Sequence, residues 1–294
     1  MDGRGIGGHN LRLPRSIDWN RVWRDLRAKR TSRKKDPAFW DGRAASFAKT
    51  TSETDYADRF LGIMEPKESW TVLDVGCGNG VLTIPLAKVV FSVTATDHAR
   101  EMLSIVGDRC RKEGLGNVTT LLCRWEDDWE KAGVGSYDVA IASRSMVADD
   151  LKESILKLDA VARKRAYVST IVGDGPYDRR LYEAIGRPLE VGPDYICNYN
   201  MLYQMGIHAR VAFIDEVRNR TYDGPDEAFS AMRWMFDELT REEEKKLRSY
   251  LEKYLVFHSG SWRLCYDRII RWAVMWWEKG DENPSCDETV ILES

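Results

Sequence analysis

From about residue 37 the chain alternates short apolar runs with longer segments of helical periodicity. Trp70–Val75, Phe91–Thr96, Val118–Cys123, Tyr137–Ala142 and Ala166–Ile171 are compact apolar runs and predict strands. Val81–Val90, Ala99–Lys112 and Asp149–Val161, which lie between them, predict helices, as does Phe39–Leu61 ahead of the first strand. Strands separated by helices imply an α/β fold, a parallel sheet covered on both faces.

The rhythm changes after Gly173. Gly175-Pro176 and Gly192-Pro193 punctuate a stretch holding Tyr177, Tyr182, Tyr195, Tyr199 and Tyr203. His208–Ile214 predicts a strand, Ser230–Phe236 a helix, and Arg241–Tyr254 a helix opened by Thr240-x-x-Glu243. Arg268–Trp277 predicts a last, half-buried strand, with Ile270, Trp272, Val274 and Trp276 alternating against Arg271 and Met275. The expected organisation is a basic arm over 1–36, a core over 37–175, a largely helical cap over 176–262 and a closing strand with tail over 263–294. In the arm, Trp19, Val22, Trp23 and Leu26 fall on one helical face among Arg21, Arg24, Arg27, Lys29, Arg30, Arg33, Lys34 and Lys35. That pattern fits either a helix docked by its aromatic stripe or a contact for an anionic partner.

Composition narrows this little. The 294 residues carry a formal charge of −3 and a pI near 5.9, which gives no global case for nucleic acid or membrane. The polar Met1-Asp2-Gly3-Arg4-Gly5 start does not resemble a leader and no apolar run is long enough to span a bilayer, so the expectation is a soluble, cytoplasmic protein. The cysteines at 77, 110, 123, 197, 265 and 286 are scattered, which argues against a metal site or a disulfide framework and for buried reduced thiols.

The informative stretch is Val72-Leu73-Asp74-Val75-Gly76-Cys77-Gly78-Asn79-Gly80. An apolar strand runs into a glycine turn that opens a helix, the place where an open α/β sheet binds ligands. Glycines at 76, 78 and 80 let the backbone approach a ligand closely. The dinucleotide fingerprint would need its third glycine at Val81, and Asp74 puts a carboxylate where a diphosphate is repelled. A ligand bearing an ammonium and a sulfonium suits that environment better.

These nine residues resemble the glycine-rich signature of class I S-adenosylmethionine-dependent methyltransferases, whose fold is a doubly wound, mostly parallel seven-stranded sheet with helices on both faces. The resemblance is specific over roughly residues 40–172. It implies S-adenosyl-L-methionine as cofactor, with Asp74, Gly76, Cys77, Gly78, Asn79 and Gly80 at its amino-acid tail. Val93-Thr94-Ala95-Thr96-Asp97 ends the second strand in an acid that, by the resemblance, takes both ribose hydroxyls, with His98 along the adenine and Met102 one turn on. Trp125 and Glu126 would flank the adenine, although the neighbouring position, often aspartate in the family, is Arg124 here. In Tyr137–Ser145, Ser143 would border the sulfonium and Arg144 would point toward the acceptor or make a surface ion pair. Trp40, Arg43 and Phe47 would close over the cofactor by analogy.

Methyl transfer from a sulfonium is a direct displacement, in which positioning and exclusion of water supply most of the rate. A base is required only for a protonated acceptor. His208 is the first candidate from sequence, then Asp149, Tyr177 and Tyr195; a purely structural role remains open for each. Asn/Asp-Pro-Pro-Tyr and Pro-Cys motifs are absent from the relevant strands, which leaves a small-molecule O-, N- or S-acceptor in front. The tyrosines, with Arg179, are candidate pocket residues, and the tryptophans at 262, 272, 276 and 277 read as core, edge or dimer packing; monomer and homodimer both stay open. The alternatives are an RNA or protein methyltransferase using the basic arm, a nicotinamide oxidoreductase disfavoured by the Val81 spacing, or a non-catalytic cofactor-binding protein.

Overall fold

The computed structural model describes residues 17–29, 55–218 and 220–280. The readings for Trp40, Arg43 and Phe47, for most of Phe39–Leu61, for the arm outside residues 17–29 and for Cys286 lie outside the described residues.

The strands are β1 (Thr71–Val75), β2 (Ser92–Asp97), β3 (Val118–Leu122), β4 (Tyr137–Ser143), β5 (Ala162–Ile171), β6 (Arg210–Arg218), β7 (Thr221–Tyr222), β8 (Leu255–His258), β9 (Ser261–Leu264) and β10 (Arg268–Glu278). Seven of them form one sheet in the order β3-β2-β1-β4-β5-β10-β6. β1 through β5 pair in parallel, while β10 runs antiparallel to both β5 and β6. The expected α/β, doubly wound, mostly parallel seven-stranded sheet is therefore present. Its carboxyl-terminal edge gathers the ends of β1 to β6 and the start of β10.

The helices are α1 (Trp19–Lys29), α2 (Tyr56–Met64), α3 (Thr83–Ala87), α4 (Arg100–Glu113), α5 (Leu151–Val161), α6 (Arg179–Ile185), α7 (Tyr195–Gln204), α8 (Pro225–Met232) and α9 (Arg241–Tyr254). One sheet face buries Leu73, Val75, Ala140, Ala142, Val168 and Met275 under α1, α5 and α7. The other buries Val72, Val93, Ile141, Tyr167, Trp272 and Val274 under α2 and the end of α3. Trp23 is 2% exposed and donates from Nε1 to the Ala148 carbonyl, so the aromatic stripe of α1 docks on the first face. Burying such a side chain contributes on the order of 2–3 kcal/mol, which fixes a helix otherwise too short to persist alone.

β10 is covered more fully than the half-buried strand predicted for it. It lies between β5 and β6, and over residues 273–277 both faces are covered, with Met275 and Trp277 on the first face and Val274 and Trp276 on the second. Between β6 and β10 the chain builds a module with its own core of Tyr222, Phe229, Met232, Leu247, Leu251 and Leu255, which α6 joins through Leu181 and Ile185. That module is not purely helical: β7, β9 and β8 form a small antiparallel sheet. Its β8–β9 hairpin turns at Ser259 and Gly260, both at positive φ (49° and 85°), the geometry that favours two-residue hairpin turns. α7 belongs elsewhere, since Cys197, Met201 and Leu202 pack on the main sheet.

Asp150, Asp178 and Asp194 cap α5, α6 and α7 by accepting from the backbone N–H groups of Glu153, Arg180 and Ile196. Thr240 and Glu243 make the expected capping box on α9. Among the described residues, no helix is long and apolar enough to cross a membrane.

Candidate cofactor and acceptor site

The turn after β1 is shaped by its glycines. Gly76, Gly78 and Gly80 all have positive φ, at 67°, 54° and 80°. At Gly76 a Cβ would also collide with the Ser145 side chain, so no other residue fits there. Ser145 Oγ donates to the Val75 carbonyl at 2.5 Å, and the Ser145 carbonyl accepts from Trp125 Nε1 at 2.8 Å. The ends of β1, β3 and β4 are thereby tied together around the turn.

Asp97, at the end of β2, faces the same turn. Its Oδ2 accepts the Gly78 N–H at 2.8 Å and its Oδ1 the Ala99 N–H at 2.9 Å. A carboxylate has about four lone-pair directions, so one remains on each oxygen, the arrangement a vicinal diol requires. His98 stands beside it, Nδ1 at 3.4 Å from Oδ1. Asp74 is buried and accepts from Thr83 Oγ1 at 2.7 Å. Burial pushes its carboxyl up to about 6, the Thr83 hydrogen bond opposes this, and the Asp97 charge adds to it. Among the described residues neither carboxylate has a cation as a hydrogen-bond partner, and the Arg144 charge only partly offsets the upward shift of Asp74, so the turn favours a positively charged ligand and opposes a diphosphate.

The remaining residues divide by placement. Cys77 and Asn79 are buried within the turn; burial pushes the Cys77 thiol well up, which leaves it unreactive. Met102 is 1% exposed and packs with Ala99, so it supports the start of α4 from inside. Trp125 is a core residue against Trp129, with ring centroids 5.3 Å apart, while Glu126 is exposed on the same loop. Its indole packs there and donates to the Ser145 carbonyl, so Trp125 helps to hold the turn.

The ends of β4 and β5 carry a polar network absent from the sequence expectations. Tyr56 of α2 is buried, with its hydroxyl 2.7 Å from Ser143 Oγ and 2.6 Å from Ser169 Oγ. The next residue, Arg144, has φ 57°, and its guanidinium carbon lies 4.0 Å from the centre of the Tyr56 ring and 5.2 Å from that of Trp272. Glu216, near the end of β6, is buried; its Oε2 accepts from Trp272 Nε1 at 3.1 Å and from Arg218 at 3.0 Å. Tyr56 and Glu216 lie outside every recognisable motif. Glu216 alone left a trace, as an acid continuing the Ala212, Ile214 alternation of β6.

The cap tyrosines separate. Tyr177 packs on Tyr182 and Trp234 and lines a cleft of about 350 Å³ with Asp174, Asp178, Arg180, Arg268 and Ile270 at the end of β5. Tyr195 meets Phe213 edge-on at 5.5 Å on the first sheet face. Asp149 is an exposed partner of Arg27. His208 is a correction: it precedes β6, packs 5.8 Å from the Tyr203 ring and lines a cavity with Trp276, Glu278 and Lys279 at the opposite edge of the sheet. From Arg210 to Glu216 the strand rises roughly 20 Å, which removes His208 from chemistry at the glycine turn.

A doubly wound sheet whose first turn is built of positive-φ glycines, flanked by a diol-competent aspartate and a second buried acid, defines the class of Rossmann-like proteins that bind a cationic nucleoside. Residues 72–164 match the family model described as a methyltransferase domain. An uncharacterised protein of Haemophilus influenzae is 31% identical over 246 residues, spanning 82% of this chain and 89% of that one. Nocamycin O-methyltransferase of Saccharothrix syringae is 35% identical over 92 residues, 30% of this chain and 32% of its own length, so that match covers about a third of each protein. A Bacillus halodurans C-125 chain solved as a candidate methyltransferase superposes with a TM-score of 0.53 at 14% identity, over 76% of this chain and 99% of that one, a likeness of fold. The chain belongs to the class I S-adenosylmethionine-dependent methyltransferases. It is an S-adenosylmethionine-dependent enzyme, and S-adenosyl-L-methionine is its cofactor.

Proposed function

We propose that the protein methylates a small molecule held at the carboxyl-terminal edge of the sheet, between the glycine turn and the module formed by α6 and residues 220–264. The cofactor, when bound, supplies an electrophilic methyl on a sulfonium. Asp97 takes the ribose hydroxyls through its two remaining lone pairs while its backbone contacts hold the turn open. Asp74 and the backbone of residues 76–80 receive the amino-acid tail, with His98 beside the adenosine. Ser143 and Arg144 border the acceptor side, and the covering module excludes water, which strengthens every charge interaction in the site. His208 has no part in this scheme.

The observation that carries the reading is the Asp97 carboxylate, anchored by two backbone N–H groups and facing the glycine turn. For the acceptor, the support is the cleft of about 350 Å³ at the end of β5, a volume that suits a small ligand. The match to nocamycin O-methyltransferase covers only about a third of either protein and gives no argument about the acceptor. The alternative of a basic arm gripping RNA gains nothing from α1, whose stripe is docked and whose Arg21 and Arg27 pair with Asp25 and Asp149. The test is transfer of a radiolabelled methyl group to a small-molecule panel, compared with RNA and protein fractions. Labelling of RNA or protein with no small-molecule product overturns the proposal.

A further inference from the structure

We infer that the Arg144 guanidinium is a carboxylate clamp for the methyl acceptor, so that the acceptor is a small molecule bearing a carboxylate. This rests on the proposed location of the acceptor beside Ser143 and Arg144.

The Arg144 side chain is 16% exposed, yet among the described residues no acceptor lies within hydrogen-bond distance of its guanidinium; the nearest charge is Glu216 Oε1, 3.9 Å from one terminal nitrogen. Arg218 and Trp272 meet the other carboxylate oxygen at 3.0 and 3.1 Å, while Oε1, facing Arg144, has no hydrogen-bond partner among the described residues, so Arg144 stands near this acid without closing a hydrogen bond to it. The guanidinium is instead ordered by two aromatic faces, Tyr56 and Trp272. Tyr56 is itself fixed by Ser143 and Ser169, and Trp272 by Glu216. A planar fork immobilised in this way has lost its rotamer freedom before a ligand arrives and keeps its donors for one, the condition for bidentate binding of a carboxylate. The left-handed backbone at Arg144, unusual for a residue with a long side chain, is the local strain that aims it.

Direction distinguishes acceptor from cofactor. The strand order is β1-β4-β5-β10-β6, and Arg144 leaves the end of β4 to lie over Trp272 of β10 and near Glu216 of β6. The guanidinium leans toward β10 and β6, although its charge still reaches Asp74 and opposes the upward shift of that carboxyl. Charge follows the same division. The turn carries Asp74 and Asp97, whereas beyond β5 Arg144, Arg218, Arg268 and Arg180 cluster about Glu216 and Asp178. The half that receives the sulfonium is acidic, and the half that receives the acceptor is basic.

The experiment uses the full chain saturated with S-adenosylhomocysteine and titrated calorimetrically with benzoate, phenylacetate and salicylate, each against its carboxamide. The expected result is at least tenfold tighter binding of a carboxylate than of its amide, lost in Arg144→Gln with S-adenosylhomocysteine affinity within twofold of the parent. Arg144→Gly serves as the second variant, because glycine accepts the φ of 57° and Glu216 keeps Arg218. No preference for carboxylates, or a preference that survives both substitutions, overturns the clamp. A tenfold loss of S-adenosylhomocysteine affinity in both variants also overturns it, assigning the guanidinium to the cofactor's own carboxylate. Absence of S-adenosylhomocysteine binding in the parent protein is a different failure, that of the cofactor site itself.

Discussion

Replacing Asp97 by asparagine tests the ribose contact with little change of shape. In the parent, both carboxylate oxygens are already committed to backbone, at 2.8 Å to Gly78 and 2.9 Å to Ala99. Asparagine keeps one acceptor oxygen and presents an NH2 group where the second N–H must be received. One backbone hydrogen bond is lost, at a cost of about 1–3 kcal/mol in stability. Toward the ligand the loss is one hydrogen bond to a charged acceptor and the charge assistance of the other. At about 1.5–3 kcal/mol for such a bond, the loss amounts to roughly 2–4 kcal/mol, a thirty- to thousand-fold rise in Kd for S-adenosylhomocysteine. Calorimetry gives the affinity and urea unfolding the stability. The penalty should shrink against the 2′-deoxy analogue, because part of what the variant loses is then missing from the ligand. An affinity within threefold of the parent, in a variant with native circular dichroism, refutes the assignment.

Other substitutions separate the remaining roles. Gly76→Ala should destabilise the protein by about 1–2 kcal/mol for the left-handed backbone alone, with more from the collision at Ser145, and should abolish cofactor binding; a melting temperature and affinity like the parent's contradict this. Asp74 gives a pH signature. Its folded-state value near 6 lies above the usual aspartate value, so between about pH 4 and 6 the folded ligand-free protein holds a proton that the unfolded chain has released. Stability therefore falls as pH rises through that window, by about 3 kcal/mol relative to Asp74→Asn, while S-adenosylhomocysteine affinity falls as pH drops below 6. Parallel stability profiles for the two proteins would remove the claim. His208→Ala, at the far edge of the sheet, should leave methyl transfer within twofold of the parent, and a large fall in turnover would restore it as a candidate base.

The main sheet was legible because its strands are short apolar runs joined by amphipathic helices, and the first turn because three glycines and an acid follow β1 directly. The covering module was less so. α7 reads Tyr-Ile-Cys-Asn-Tyr-Asn-Met-Leu-Tyr-Gln, in which only Met201, Leu202 and Gln204 are strong helix formers, and it is held as a helix where Cys197, Met201 and Leu202 bury against the sheet. The β8–β9 hairpin has a signal, Ser259-Gly260 between two short runs, in a stretch for which no strand is predicted. The side of the sheet on which His208 stands was not legible because a strand boundary says nothing about direction: once β6 runs parallel to β5, its first residues stand at the far edge and its last residues, Glu216 among them, at the ligand edge. Tyr56 and Ser169, 113 positions apart in sequence, meet only through the crossover topology.

The central claim is that the β1–β2 edge receives a sulfonium nucleoside and rejects a dinucleotide. Titrating the folded protein with S-adenosylhomocysteine and, separately, with NAD and NADP tests it in one calorimeter. The account predicts one S-adenosylhomocysteine bound per chain and no heat from either dinucleotide. Saturable binding of a dinucleotide with none of S-adenosylhomocysteine would contradict it.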